Sequence, residues 1–171
     1  MRIECGPCVL RPWQMEDAGE IVRLADNWNV SRYLRDRFPH PYTPADAEKF
    51  LAQALSGADN EVRFAIETEG ALAGGIGLIP GKDIERLNAE IGYWLGEPFW
   101  GRGLVPAAVR AMTEYGFTQA GFARIFAITM VENTGSARVL EKCGFVLEGR
   151  MRKSAIKRGE FHDEFLYARV R

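Results

Sequence analysis

The sequence predicts a single mixed α/β domain spanning residues 1–171. Three observations carry this expectation. Helical and strand-like hydrophobic periods alternate along the chain, in the order strand, two helices, three strands, helix, strand, helix, two strands. No internal repeat, low-complexity tract or linker interrupts them. A length of 171 residues, 47% of them apolar and 26% charged, suits one buried core.

Each element has a local reason. Ile3 to Arg11 reads as a short extended segment, because Pro12 biases Arg11 away from helix. Asp17 precedes a helical stretch with Ile21, Leu24 and Ala25 on one face. Trp28 to Tyr42 is irregular and rich in arginine and aromatics. Thr43 and Pro44 supply an N-cap and a first helical residue. The helix they open turns Ala47, Phe50, Leu51, Ala54 and Leu55 to one side. Val62–Glu67 and Leu72–Leu78 read as a hairpin around Glu69-Gly70, and Ala89–Leu95 as the next strand. Pro106–Phe117 is helical and Arg124–Met130 a buried strand. Ser136–Cys143 is a short helix closed by Gly144. Phe145–Glu148 and Phe161–Val170 are the last strands, around Arg158-Gly159.

Charge and composition exclude several classes. The formal net charge of −1 offers no basic field for nucleic acid. No stretch approaches the roughly 18 apolar residues of a membrane span, and the N-terminus has no signal core. A cytoplasmic protein is the expectation. Three cysteines, Cys5, Cys8 and Cys143, do not make a disulfide framework. Cys5-Gly6-Pro7-Cys8 copies a redox tetrad, but no helix follows it to lower a thiol pKa. With His40 and His162 the cysteines lack metal-ligand spacing, so no metal is expected.

The chemistry concentrates between Ala89 and Phe117. A strand is followed by Gly96-Glu97-Pro98-Phe99-Trp100-Gly101-Arg102-Gly103-Leu104-Val105-Pro106 and then a helix. Gly101 and Gly103 free the backbone where the helix begins. Such a turn points several N–H groups at one spot beside the positive end of a helix dipole. A pyrophosphate fits there, and Arg102 adds a charge-assisted contact. The Gly-Lys-Ser/Thr of a nucleotide P-loop is absent. The dinucleotide fingerprint fails because position 106 is proline. Taken alone, the loop fits a purely structural turn equally well.

A second segment narrows the choice. Asn133-Thr134-Gly135-Ser136 leads into Glu141-Lys142-Cys143-Gly144-Phe145. Together with Trp100-Gly101-Arg102-Gly103, Leu10-Arg11-Pro12, Glu16-Asp17-Ala18 and Pro41-Tyr42-Thr43, it resembles the GNAT superfamily of N-acetyltransferases, RimJ/RimL-type branch. The likeness runs along nearly the whole chain. Two positions depart from the pattern: Pro98 stands where Gln or Arg is frequent, and Ala107 where Glu is common.

The resemblance implies a central, mostly antiparallel sheet with a splayed parallel strand pair, flanked by helices. It implies acetyl-CoA as cosubstrate, held by the loop residues Trp100, Gly101, Arg102, Gly103, Leu104 and Val105. The backbone near Trp94 and Leu95 would hold the pantetheine arm and the thioester carbonyl, with Asn133, Ser136 and Lys142 completing the donor site. Acetyl would pass directly to an amine, with the N-terminal α-amine of a protein or peptide as the first choice of acceptor. An α-amine, with a pKa of about 8, asks less of a base than a lysine near 10.4. Small amines such as polyamines, amino acids or drugs are alternatives, as is a CoA-binding sensor domain without catalysis. The chain would act as a monomer or homodimer.

Glu90 is the candidate base, since its side chain shares a strand face with Gly92 and Trp94. Its plain alternative is a solvated strand carboxylate. Ser136 is the candidate donor to the departing thiolate; helix capping is the alternative for both Ser136 and Asn133. Asp163, Tyr33 and Trp94 are expected on the acceptor side. Asp163 has an ordinary turn carboxylate as its alternative.

Overall fold

The computed structural model describes residues 1–57 and 60–171. The N-terminal segment is a hairpin rather than one extended run. Strands β1 (Ile3–Glu4) and β2 (Val9–Arg11) pair antiparallel across Cys5–Cys8. The Cys5 N–H donates to the Cys8 carbonyl at 2.9 Å. Both thiols are free, and the tetrad opens no helix.

Helix α1 (Ala18–Ala25) follows a turn of 3-10 helix at Met15–Asp17. One further turn, α2 (Trp28–Ser31), forms inside the segment expected to be irregular, with the Asn27 side chain accepting from the Asn29 N–H as its cap. Helix α3 (Pro44–Ser56) has the expected Thr43 cap, reinforced reciprocally: the Asp46 N–H donates to Thr43 Oγ1, and the Asp46 carboxylate accepts from the Thr43 N–H. Ala47 and Leu51 are buried on its inner face, whereas Leu55 is half-exposed because it sits at the rim of that face.

Strands β3 (Val62–Thr68), β4 (Ala71–Pro80) and β5 (Asn88–Leu95) form an antiparallel meander. Helix α4 (Leu104–Thr118) crosses over to β6 (Arg124–Met130), which returns parallel to β5. A parallel pair needs such a crossover. Helix α5 (Thr134–Lys142) ends in the expected glycine. Gly144 has φ of 81°, and the Phe145 N–H donates to the Leu140 carbonyl. The last hairpin, β7 (Val146–Lys157) and β8 (Glu160–Val170), is much longer than its hydrophobic pattern suggests, because β7 is largely exposed. Among the described residues, the eight strands make one sheet in the order β1-β2-β3-β4-β5-β6-β8-β7.

The sheet has two apolar faces. One packs on α4 and α5 through Leu78, Ile91, Leu95, Val109, Met112, Ile125 and Leu140. The other packs on α1 and α3 through Trp13, Ile21, Leu24, Leu51, Ala65 and Leu72. Arg11 fastens the second layer. Its guanidinium grips Asp17 at 2.7 and 2.9 Å and Glu67 at 2.5 Å, and all three groups are largely shielded from water. These bonds hold the arginine charge, so its pKa lies above the ordinary value. This explains why Leu10-Arg11-Pro12 and Glu16-Asp17-Ala18 occur together: the arginine ties β2 and β3 to the start of α1.

The feature that positions the site is where β5 and β6 stop pairing. Their register runs Asn88 with Arg124, Ala89 with Ile125 and Glu90 with Phe126, and ends there. Beyond Glu90 the two strands splay.

Candidate active site

Alternation along β5 decides which backbone groups face the splay. Asn88 accepts from the Gly81 N–H, and the Gly96 N–H donates to the Ala73 carbonyl, so even-numbered residues of this strand turn their backbone to β4. The N–H and C=O of Tyr93 and the N–H of Leu95 therefore point into the gap. Trp94, named with Leu95 as a backbone contact, turns its backbone to Gly75 of β4 instead. It contributes its side chain on the other face, where its ring meets Phe38 at 5.3 Å.

The gap opens into a cleft of about 760 Å³. Its walls include Tyr33, Glu90, Gly92, Tyr93 and Trp94, and Ala127, Ile128 and Thr129 of β6, with Asn133 and Ser136 at the start of α5. The structure thus brings together Glu90, Trp94, Tyr33, Asn133 and Ser136. Period 2 along β5 sorts them: Glu90 and Trp94 face the α1/α3 side, and Tyr93 faces the α4/α5 side.

On that second side the Tyr93 and Ser136 hydroxyls lie 2.8 Å apart. Burial pushes the Tyr93 hydroxyl up to about 12, against the hydrogen bond from Ser136. Tyr93 therefore stays protonated across the working pH range. Nothing in the sequence marks this tyrosine, because its partner lies 43 residues on. Asn133 accepts from the Ser136 N–H at 3.2 Å and is the N-cap of α5. Capping thus belongs to Asn133, while the Ser136 side chain points to the cleft.

On the first side Glu90 is held by Arg35, with Arg35 Nη2 donating to Oε1 at 2.5 Å. Arg35 belongs to the arginine- and aromatic-rich stretch from Trp28 to Tyr42, in which the sequence does not single it out. It lies in the loop after α2, and the loop is pinned in turn by the β7–β8 turn. Lys157 Nζ donates to the Leu34 carbonyl and the Asp36 carboxylate, both at 2.9 Å. Arg158 lies 3.8 Å from the centre of the Trp28 ring.

The loop before α4 has the expected geometry. Gly101 and Gly103 have φ of 75° and 74°, and a Cβ on either would stand in open space. Glycine is needed there for the left-handed backbone. Helix α4 begins two residues before its expected start, at Leu104, and no side chain caps it. Its free N–H groups and dipole make a ready anion site. The Trp100 indole N–H donates to the Leu95 carbonyl at 2.8 Å and straps the loop to β5. Arg102 pairs with Glu69 on the surface at 2.9 Å rather than turning inward. Val105 packs on the core, and Ala107, which stands where the family commonly has glutamate, lies within it. Pro98 is exposed in a 3-10 turn at Glu97–Phe99.

Two expected residues stand elsewhere. Asp163 does not line the cleft. It accepts from the Lys153 N–H and from Arg150, both at 2.8 Å, and so holds the irregular register between β7 and β8. Those two donors keep its carboxyl below the usual range. In this structure its carboxylate braces the hairpin, the structural alternative to an acceptor-side role. Lys142 is exposed in the last turn of α5, also outside the cleft wall. Cys143 is buried at the same helix end, its thiol donating to the Pro106 carbonyl, and burial raises its pKa.

The sequence matches the acetyltransferase (GNAT) domain family over residues 8–146. This chain belongs to the GNAT family. A solved structure of Mycobacterium smegmatis RimJ in complex with CoA-disulfide superposes with a TM-score of 0.85 at 26% identity, covering 99% of this chain and 84% of that one. The microcin C7 self-immunity acetyltransferase MccE, solved with acetyl-CoA and AMP, gives a TM-score of 0.84 at 26% identity, over 96% and 93% of the two chains. Among sequences, spermidine N(1)-acetyltransferase of Escherichia coli K12 is 27% identical over 154 residues, 90% of this chain and 81% of that enzyme. The splayed pair of β5 and β6 in a mostly antiparallel sheet is the GNAT fold, and the chain is a GNAT N-acetyltransferase.

Proposed function

We infer that this N-acetyltransferase moves acetyl from acetyl-CoA directly to the α-amine of a protein or peptide. The observation that carries the reading is the cleft itself. It has a proton-donating pair, Tyr93 and Ser136, on one side of β5 and a carboxylate, Glu90, on the other. MccE and RimJ are solved with acetyl-CoA and a CoA adduct, which supports the same cosubstrate here.

The residues present fit that donor. The N–H groups of Gly101, Arg102, Gly103 and Leu104 gather at the uncapped end of α4 and bind the pyrophosphate. Tyr93 and Leu95 offer backbone groups along the gap to an amide-bearing arm. When bound, acetyl-CoA supplies the thioester. An N–H in the gap aimed at its carbonyl oxygen stabilises the charge that develops there, worth about 3–4 kcal/mol for one such donor. Ser136 donates its hydroxyl hydrogen bond to the departing sulfur, and Tyr93 holds Ser136 in place. Glu90 takes the proton from the attacking amine, directly or through one water.

The spermidine relative supports a second reading, in which the acceptor is a small polyamine. The first test is calorimetric titration with acetyl-CoA, on the parent and on Gly101→Val/Gly103→Val. Valine at a φ near +75° is strained by roughly 1–2 kcal/mol per residue, and its side chain enters the open space over the loop. Micromolar binding in the parent and none in a folded variant is expected. A folded parent that does not bind the donor refutes the reading.

A further inference from the structure

On the acceptor side of the cleft an ion pair joins a half-buried partner to an exposed one: the Glu90 side chain is 23% exposed and that of Arg35 51%. Of the other acidic residues in the wall, each already has work. Glu61 pairs with Arg63, Asp36 with Lys157, and Asp46 accepts from the N–H and the hydroxyl of Thr43 at 2.8 and 2.6 Å. Among the cations, Arg63 pairs with Glu61, and Lys49 lies near enough to Asp46 to help Thr43 hold its carboxyl below the ordinary value, whereas Arg37 lines the same wall and forms no ion pair among the described residues. Arg35 has one carboxylate partner, Glu90.

An amine that takes Oε1 of Glu90 displaces Arg35 from it. The displaced guanidinium then adds its charge to a wall that already carries Arg37, unpaired among the described residues. A polyamine would add its own positive charges to that group, and like charges repel. An acceptor with a carboxylate next to its amine resolves the exchange. Its ammonium takes Glu90, and its carboxylate takes the fork of Arg35, a geometry that arginine matches with two parallel hydrogen bonds. The clasp of Lys157 on Leu34 and Asp36 keeps the arginine loop over the cleft while the partners change.

We propose that the acceptor carries a carboxylate on, or next to, the residue that bears its amine, and that Arg35 reads it by releasing Glu90. This rests on the reading of Glu90 as the group that meets the amine. Two sources supply such chemistry: a peptide with an acidic residue in its first two positions, or a free amino acid, whose own carboxylate lies beside its amine.

The experiment follows CoA release with acetyl-CoA and a panel of acceptors. The panel holds short peptides beginning Ser-Asp, Ser-Asn and Ser-Lys, together with free glutamate and spermidine. Wild type is expected to prefer Ser-Asp over Ser-Asn by tenfold or more in kcat/KM, and to use Ser-Lys and spermidine least. Free glutamate outrunning every peptide supports the proposal and identifies the amino acid as the source. Arg35→Ala is expected to erase the preference, mainly through KM, and Arg35→Glu to turn it toward Ser-Lys. Donor affinity of both variants, measured by calorimetry, reports that they are folded. Ser-Lys or spermidine matching Ser-Asp, or an unchanged preference in Arg35→Glu, overturns the proposal while leaving amine acetylation intact. Donor binding without transfer to any acceptor overturns the proposal and the acetyl-acceptor reading together.

Discussion

Replacing Tyr93 by Phe removes one oxygen and leaves the ring packed against the α4 layer. The oxygen lost is the one 2.8 Å from Ser136 Oγ. Two arrangements give different numbers. If Ser136 donates to the sulfur and Tyr93 only orients it, the variant loses one neutral hydrogen bond, about 0.5–1.5 kcal/mol. That is roughly a two- to twelvefold fall in kcat. Ser136→Ala then loses the hydrogen bond to a charged sulfur, about 1.5–3 kcal/mol, or roughly ten- to 150-fold. The double variant should be no worse than Ser136→Ala, because Tyr93 acts through Ser136. CoA release with saturating substrates, with thermal melts as a folding check, measures all three. Burial adds a second readout. With its pKa pushed up to about 12, Tyr93 gives the wild-type rate profile no limb near pH 10. A mild Ser136→Ala beside a severe Tyr93→Phe, or a limb near pH 10 that vanishes in Tyr93→Phe, would refute this assignment and make the tyrosine the proton donor.

Other predictions bear on the base and the frame. Glu90→Gln should lower kcat/KM at pH 7 by at least tenfold while donor affinity, read by calorimetry, stays within twofold; full turnover removes Glu90 as base. Arg11→Ala leaves Asp17 buried without its cation and should cost roughly 3–5 kcal/mol, about 6–20 °C in Tm for a chain of this size. A shift under about 3 °C would mean that water replaces the guanidinium. Arg11 and Arg2 hold the Glu67 carboxyl below the usual carboxylate range. That contribution is complete above the unfolded-state pKa of about 4.3 and is lost as pH falls through the lower folded value. Acid melts should show wild type losing stability below about pH 4 in a step that is smaller in Arg11→Ala.

Much of this architecture is legible in the sequence because its signals are local. Thr43-Pro44 with Asp46 specifies the start of α3, Gly144 the end of α5, and alternation along Ala89–Leu95 the face that Glu90 shares with Trp94. The loop from Trp100 to Leu104 is legible for the same reason: two glycines one residue apart, just before an apolar helix, mark a turn with left-handed backbone. What local pattern cannot supply is pairing at a distance. Tyr93 reads as one more strand aromatic until α5 brings Ser136 to it. Arg35 is one of several arginines between Trp28 and Tyr42, and no local pattern pairs it with Glu90, 55 residues on. Asp163 shows the opposite case. Its position in the family pattern suggests the acceptor, yet an irregularity in a hairpin, invisible in hydrophobic periodicity, gives it Lys153 and Arg150 instead.

The parting of β5 from β6 has a consequence for the protein before any turnover. From Tyr93 onward β5 is an edge strand lodged in the middle of a sheet, with main-chain donors and acceptors that no neighbouring strand satisfies. Edges of this kind pair with whatever extended chain arrives. On the proposed reading that chain is the pantetheine arm, and its amides stand in for a missing strand. The resting enzyme is then an unfinished sheet, and its donor is the last piece of secondary structure. Amide hydrogens of Tyr93 and Leu95 should slow in exchange when acetyl-CoA is added, and a hundredfold excess over Kd should raise the unfolding free energy by about 2.7 kcal/mol. Cells poor in acetyl-CoA would hold this protein in its least stable form, with its one interior edge open to pairing with itself.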